Sequence, residues 1–149
     1  MSLAVLAACT VCIYWKITLT SQFTWLDSPD LAYQVLPWMQ ESARQWQSGH
    51  FPLWDPHHWG GYPLVGQSQP GILFPLNWLL WSTPMLDGHL KLTWVNWYYA
   101  LIHYFGCVFC YALCRDRSLS PTASVAAGVT FGLGGFVGNT AWPQMINGA

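Results

Sequence analysis

From Leu92 to Cys114 the chain runs for 23 residues without a charged side chain. As a helix such a run covers about 35 Å, slightly more than the roughly 30 Å of a bilayer's hydrocarbon layer. Its start is crowded with Trp94, Trp97, Tyr98 and Tyr99, the aromatic belt expected where a helix leaves the headgroups. Arg115-Asp116-Arg117 follows at the other end. A segment of this kind has to cross a membrane or be wrapped in a large core. Composition decides between the two. The 149 residues are 53% hydrophobic, 17% aromatic and only 7% charged, where about 25% charged is usual for soluble domains. A soluble domain this short cannot hide so much apolar surface. The sequence therefore predicts an all-α, multi-span membrane protein, with the lipid bilayer as its first partner. A formal net charge of -1 leaves no basic footprint, which excludes nucleic acid as a partner class.

Two further spans are predicted. The first covers about 3–26 and is interrupted only by Lys16. A central lysine is costly in lipid, so Lys16 either snorkels or marks the outer end of a helix, with Trp25 at the interface. The other covers about 122–138 after the helix start Ser120-Pro121, and its pairs Gly128/Gly132 and Gly134/Gly138 have the G-x-x-x-G spacing suited to close helix packing. The positive-inside tendency places Arg115 and Arg117 in the cytoplasm and the long loop of about 27–91 outside. The whole reads as one membrane domain. Cys9, Cys12, Cys107, Cys110 and Cys114 fall inside apolar helical runs, where C-x-x-C spacing merely puts small residues on one face and the polar partners of a metal or redox site are missing.

The loop contrasts with its flanks. Five of the six carboxylates lie in or beside it (Asp27, Asp30, Glu41, Asp55, Asp87), as do His50, His57 and His58. Ser28-Pro29-Asp30 is a helix start, with a capping hydroxyl, a proline in the first turn and an acid beside it. Apolar residues then recur at Leu31, Val35, Met39, Ala43 and Trp46, with Glu41, Arg44, Gln45 and Gln47 on the other faces. Such a one-striped helix is predicted to lie along the membrane surface. Pro37 has to kink or restart it, and Gly49 is a natural stop. Residues 50–69 read as irregular, turned by prolines and glycines. Residues 70–86, short and broken by Pro75 and Pro84, read as a second juxtamembrane or re-entrant helix.

The loop carries a series of motifs: Asp30, Gln34 and Pro37-Trp38; then Ser48-Gly49-His50-Phe51-Pro52-Leu53-Trp54-Asp55-Pro56; then Gly60-Gly61-Tyr62-Pro63-Leu64; then Gln69 and Phe74-Pro75. This series resembles the bacterial YfhO membrane proteins, whose form is D…Q…PW, G-x-x-P-L-W-N-P, G-G-x-P, then Q and Y-P. The resemblance implies the C-type glycosyltransferase superfamily: multi-pass enzymes of the bacterial cytoplasmic (inner) membrane that take a sugar from a polyprenyl-phosphate carrier and pass it to an extracytoplasmic glycan or polymer acceptor. It also implies a first outer loop with juxtamembrane helices. Here Asp55 stands where the family has Asn, and His57-His58 replace aromatic or aliphatic residues. Such enzymes are several times longer, so the chain reads as an N-terminal portion of one.

Sugar transfer to a hydroxyl needs a base for the acceptor's proton and something to stabilise charge on the departing phosphate. Asp30, which matches the family's acid, is the candidate base, and Asp27 is the alternative. Gln34, Arg44, Trp54, Asp55, His57 and Gln69 are the candidate substrate-binding residues, although Arg44 is also placed to pair with Glu41 at i,i+3. No cofactor is required, although Asp30, His50, Asp55, His57 and His58 are of types that suit a divalent ion. Two other readings compete: a non-catalytic multi-pass protein of the same fold, acting as scaffold or in envelope transport, and an inactive truncated product.

Overall fold

The computed structural model describes residues 1–20 and 29–135. Trp25, Asp27, Ser28 and Gly138, all used above, lie outside the described residues. The described chain is mostly helical. Its helices are α1 (Ser2–Thr18), α2 (Leu36–Gln47), α3 (Pro75–Trp81), α4 (Leu92–Asp116) and α5 (Pro121–Leu133). Two short hairpins accompany them, β1 (Trp54–Asp55) with β2 (Tyr62–Pro63) and β3 (Met85–Leu86) with β4 (His89–Leu90), both antiparallel. The described residues form two compact units, 1–20 with 96–135 and 29–95.

In the first unit only α4, with 25 residues, is long and apolar enough to cross a membrane. Phe109 and Leu113 leave its apolar side chains facing outward. Where a span of 3–26 was expected, α1 stops at Thr18, and Leu19 N–H closes its last turn on Trp15 O at 2.8 Å. Lys16 thus sits in the last turn rather than mid-helix, where its charge complements the helix dipole. The helix bends at Tyr14 (φ -98°, ψ 17°), and the Thr18 hydroxyl donates to Tyr14 O at 2.9 Å. α5 also ends earlier than expected, at Leu133. Its start is as read from sequence: Ser120 Oγ accepts from Ala123 N–H at 3.2 Å, with proline in the first turn.

α5 packs on α1, and its glycines press against α4. A Cβ on Gly128 would lie 2.7 Å from Cys107 O, and one on Gly132 would lie 2.7 Å from Cys107 N and 2.9 Å from His103 O. These are backbone atoms that cannot swing aside. The first of the two G-x-x-x-G pairs is therefore a true contact surface. His103 donates from Nδ1 to Tyr99 O at 2.7 Å, and its ring lies 4.9 Å from that of Tyr14.

The second unit begins with a π-helical turn, Leu31–Val35, leading directly into α2. Leu36 N–H reaches back five residues to Leu31 O. Pro37 explains the widening: it has no N–H to return to the preceding turn, so the backbone relaxes there instead of breaking. α2 ends at Gln47, with Gly49 at φ +82° as expected for a stop. It buries Trp38, Met39, Ser42 and Ala43, and also Glu41. The sequence placed Glu41 off the apolar stripe of this helix. It is covered because the β1–β2 hairpin folds back against α2.

α2 packs on α3. Trp46 stacks on Trp78 (5.7 Å between centroids, 23° between planes) and donates to Ser82 Oγ at 3.0 Å, while Phe51 meets Trp78 edge-on. Gln47 Nε2 donates to Trp81 O and Thr83 O, both at 2.8 Å, which satisfies carbonyls at the end of α3. α3 itself has seven residues, so the helix expected over 70–86 covers only 75–81. At about 10 Å it is far too short to cross a bilayer. Asn77 Nδ2 ties up Pro70 O and Gly71 O (3.1 and 2.7 Å), which fixes residues 70–74 as turns. Residues 85–90 form a tight hairpin around Asp87-Gly88, both at positive φ (51° and 76°).

Candidate functional site

The second unit holds a cleft of about 290 Å³ between α2 and the turn that follows β1. Pro37, Gln40, Glu41 and Arg44 line it from α2, and Asp55, His57 and His58 line it from the hairpin. The helix supplies its residues at i, i+3, i+4 and i+7, one face of α2. The hairpin supplies the rest because Asp55 shapes its turn. Asp55 is completely buried. Its Oδ1 accepts from His57 N–H at 2.8 Å, and its Oδ2 accepts from His58 Nδ1 at 2.6 Å. A short carboxylate bonding to the backbone two residues ahead is an Asx turn, and the imidazole satisfies its second oxygen. Asp55 therefore works as an internal brace.

Glu41 is the second buried acid. Oε2 takes Arg44 Nη1 at 2.7 Å, and Oε1 takes Gln45 Nε2 at 2.8 Å. His57 Nε2 stands 3.6 Å from the same Oε2. Gln45 Nε2 also donates to Trp54 O at 2.6 Å, so one amide joins the helix carboxylate to strand β1. Burying a carboxylate is tolerable only with partners of this kind. The i,i+3 pairing of Arg44 with Glu41 is as read from sequence. Arg44 continues to Gly88 O (Nε, 3.4 Å), and Gln40 Oε1 meets His89 Nδ1 (3.3 Å), so both hairpins are tied to α2.

Tyr62 pairs with Asp55 across the β1–β2 ladder, and its ring meets that of His58 edge-on. Its hydroxyl is buried without a well-formed hydrogen bond. Burial pushes the phenol up to about 12 and the nearby Asp55 charge adds to this, while the Trp38 indole acts weakly in the opposite direction.

Three of the residues expected to bind substrate meet in the cleft: Arg44, Asp55 and His57. Trp54 stands next to it, with its carbonyl held by Gln45 and its indole over Gly61, where a Cβ would lie 2.9 Å from the ring. Gln34, exposed on the π-helical turn, and Gln69, exposed after the hairpin, do not line the cleft. Asp30 is half-buried just before the π-helical turn, also outside the cleft lining, and Asp27 lies outside the described residues. Among the described residues no three His, Cys, Asp or Glu side chains gather as a metal would require. His50, expected as a possible ligand, bonds Ser48 Oγ instead at 3.2 Å. Sequence reasoning missed Glu41, Gln40 and Tyr62. The i,i+4 spacing of Glu41 and Gln45 was the signal available for the first; nothing local marks Tyr62, which meets Asp55 only across the β1–β2 ladder.

Chemically, the cleft has a floor of two engaged carboxylates and a wall of donors from Arg44 and His57. It suits a small polar ligand with hydroxyl or anionic groups. No family model, curated protein or solved structure matches the chain.

Proposed function

We propose that this chain belongs to an integral-membrane glycosyltransferase of the bacterial cytoplasmic membrane. The reaction moves a sugar from a polyprenyl-phosphate carrier to an extracytoplasmic hydroxyl acceptor. The observation that carries the proposal is the residue series that starts at Asp30 and Gln34 and continues through Leu53-Trp54-Asp55-Pro56 and Gly60-Gly61-Tyr62-Pro63. Two features of the fold support it. α4 is long and apolar enough to hold the loop unit at a bilayer. The loop unit in turn folds part of that series into a polar cleft of a size suited to one small ring.

Within this reading the carboxylates divide the work. Asp55 and Glu41 are buried and engaged, so neither is free to take a proton from an acceptor. The resemblance implies Asp30 as general base, with Asp27 as the alternative. As the acceptor oxygen bonds to the sugar's anomeric carbon, the carbon's bond to phosphate oxygen breaks. Asp30 takes the acceptor proton and the phosphate leaves with the electron pair. Donors such as Arg44 stabilise the phosphate charge.

The test is sugar transfer by membranes carrying the protein in its full reading frame. Asp30→Asn keeps the shape but cannot accept a proton at neutral pH, and it is expected to lower turnover by about 10²–10⁴-fold. Asp27→Asn is expected to cost far less. Near-normal turnover in the Asp30 variant with loss in the Asp27 variant moves the base to Asp27. If membranes carrying the unaltered protein show no transfer from any polyprenyl-phosphate donor, the proposal fails and the scaffold reading replaces it.

A further inference from the structure

The turn between β1 and β2 presents a side chain that lies outside the cleft lining. Trp59 is 96% exposed. Its φ is +55°, and it is followed by Gly60 at +76° and Gly61 at +104°. Three successive residues in the left-handed region make a turn that glycine fits at every position. A bulky aromatic there is a backbone outlier. The indole gains nothing from the fold in return, since it is almost wholly in solvent. Strain kept at a position that contributes no packing points to a use outside the fold.

The rest of the turn is built to hold that position. Asp55, fully buried, fixes His57 N–H and the His58 ring (2.8 and 2.6 Å). The Trp54 indole covers Gly61 so closely that no Cβ fits there. Trp54 is itself tied to α2 through Gln45. Trp59 therefore projects from a braced turn, one and two residues beyond the imidazoles that line the cleft.

We propose that Trp59 and the cleft beside it form a saccharide-binding site, in which the indole stacks on the C–H face of a pyranose ring and Arg44, His57 and Gln40 bond its hydroxyl edge. A pyranose has one face of C–H groups and a rim of hydroxyls, which asks for a flat aromatic surface next to polar groups. The alternative use of an exposed tryptophan is anchoring in lipid headgroups. The neighbourhood argues against it: Trp59 is flanked by Pro56, His57, His58, Gly60 and Gly61, so inserting the tip would drag two imidazoles toward lipid. The inference rests on the transferase reading for its choice of a glycan, and it names a residue which that reading does not need.

The experiment uses the whole chain in lipid nanodiscs, with fluorotryptophan incorporated. The Trp59 fluorine resonance is assigned by its loss in Trp59→Tyr. The probes are methyl glycosides of the common hexoses and N-acetylhexosamines, and, separately, nanodiscs containing lipid with a nitroxide at the headgroup. The expected result is a saturable shift of the Trp59 resonance with at least one glycoside and no broadening by the nitroxide lipid. By calorimetry Trp59→Gly is expected to weaken that glycoside roughly tenfold, and Trp59→Tyr to retain it. Because glycine relieves the turn, Trp59→Gly should melt no lower than the unaltered chain, so a loss of binding cannot be put down to unfolding. No shift with any glycoside, unchanged affinity in Trp59→Gly, or nitroxide broadening without a sugar shift would each overturn the proposal. Binding needs no turnover, so glycoside binding without transfer sinks only the transferase reading, and transfer without binding sinks only this one.

Discussion

Tyr62 is the residue whose chemistry most directly reports the packing of the loop unit. Its phenol is buried beside Asp55, and burial, then the Asp55 charge, raises it from 10.0 to about 12. The folded state therefore holds this proton across a range in which the unfolded chain releases it, so stability falls as pH rises. The contribution is fully present below about pH 10 and is lost as pH rises through about 12. Tyr62→Phe removes the titrating group together with a buried hydroxyl that lacks a well-formed bond. At neutral pH it should be neutral or stabilising by about 1 kcal/mol. Above pH 10 its melting temperature should fall less steeply than that of the unaltered protein. Parallel melting curves across that range would show that Tyr62 is not the sensitive group. The same cluster shows what sequence can reveal of a site. Arg44, Asp55 and His57 were legible as candidates because charge and imidazole stand out in an apolar chain. Helical phase within α2 puts Glu41 off the apolar stripe and gives no sign that it is buried. What buries it is the hairpin of Trp54–Asp55 and Tyr62–Pro63, well beyond α2 in the chain, a contact that no local pattern encodes.

At the scale of elements, helix ends were more legible than helix lengths. Ser120-Pro121 and Gly49 did what their cap chemistry dictates. α1 and α5 nevertheless stop short of the apolar runs that contain them, because hydrophobicity signals what a segment contacts and not how far its hydrogen bonding continues. The π-helical turn was legible only as a proline problem at Pro37. Asp87-Gly88 is a strong two-residue hairpin signal, and the structure forms the β3–β4 turn on it. The clearest element-level result is the α4–α5 contact. Gly106 of α4 faces Gly132, with 3.8 Å from its ideal Cβ to the Gly132 Cα, so both helices thin out at the same place. Gly132→Ala puts a methyl group 2.7 Å from Cys107 N and 2.9 Å from His103 O. Overpacking of this kind costs typically about 1–3 kcal/mol. In a version keeping only Cys107, which is completely buried, maleimide labelling should be slow in the unaltered background and markedly faster with Gly132→Ala. Equal labelling rates would mean that the glycines are not the contact surface.

For the whole molecule, α4 is the one helix among the described residues that is long and apolar enough to cross a membrane. α4 joins residues 29–95, which hold the cleft, to the turn 117–120. At 25 residues it is about 37 Å long, enough for the roughly 30 Å of hydrocarbon with some tilt. Arg115 and Arg117 lie at its far end, and Trp94 and Trp97 are exposed at its near end. If α4 crosses a bilayer, the charged end would be the cytoplasmic one and the aromatic end the outer one. α3 cannot reverse that arrangement because it is too short to be a second crossing within the loop. A single crossing by α4 is then sufficient to separate Ser48, just beyond α2, from Ser118, just beyond α4. Both are exposed, so neither site is shielded by the fold. In a cysteine-free background, Ser48→Cys should react with a membrane-impermeant maleimide added outside intact cells. Ser118→Cys should react only after the cells are opened. The opposite pattern would invert the orientation and put the cleft on the cytoplasmic side, away from an extracytoplasmic acceptor. Reaction of both from outside would mean that α4 does not cross at all, and the basis for reading the chain as a membrane enzyme would go with it.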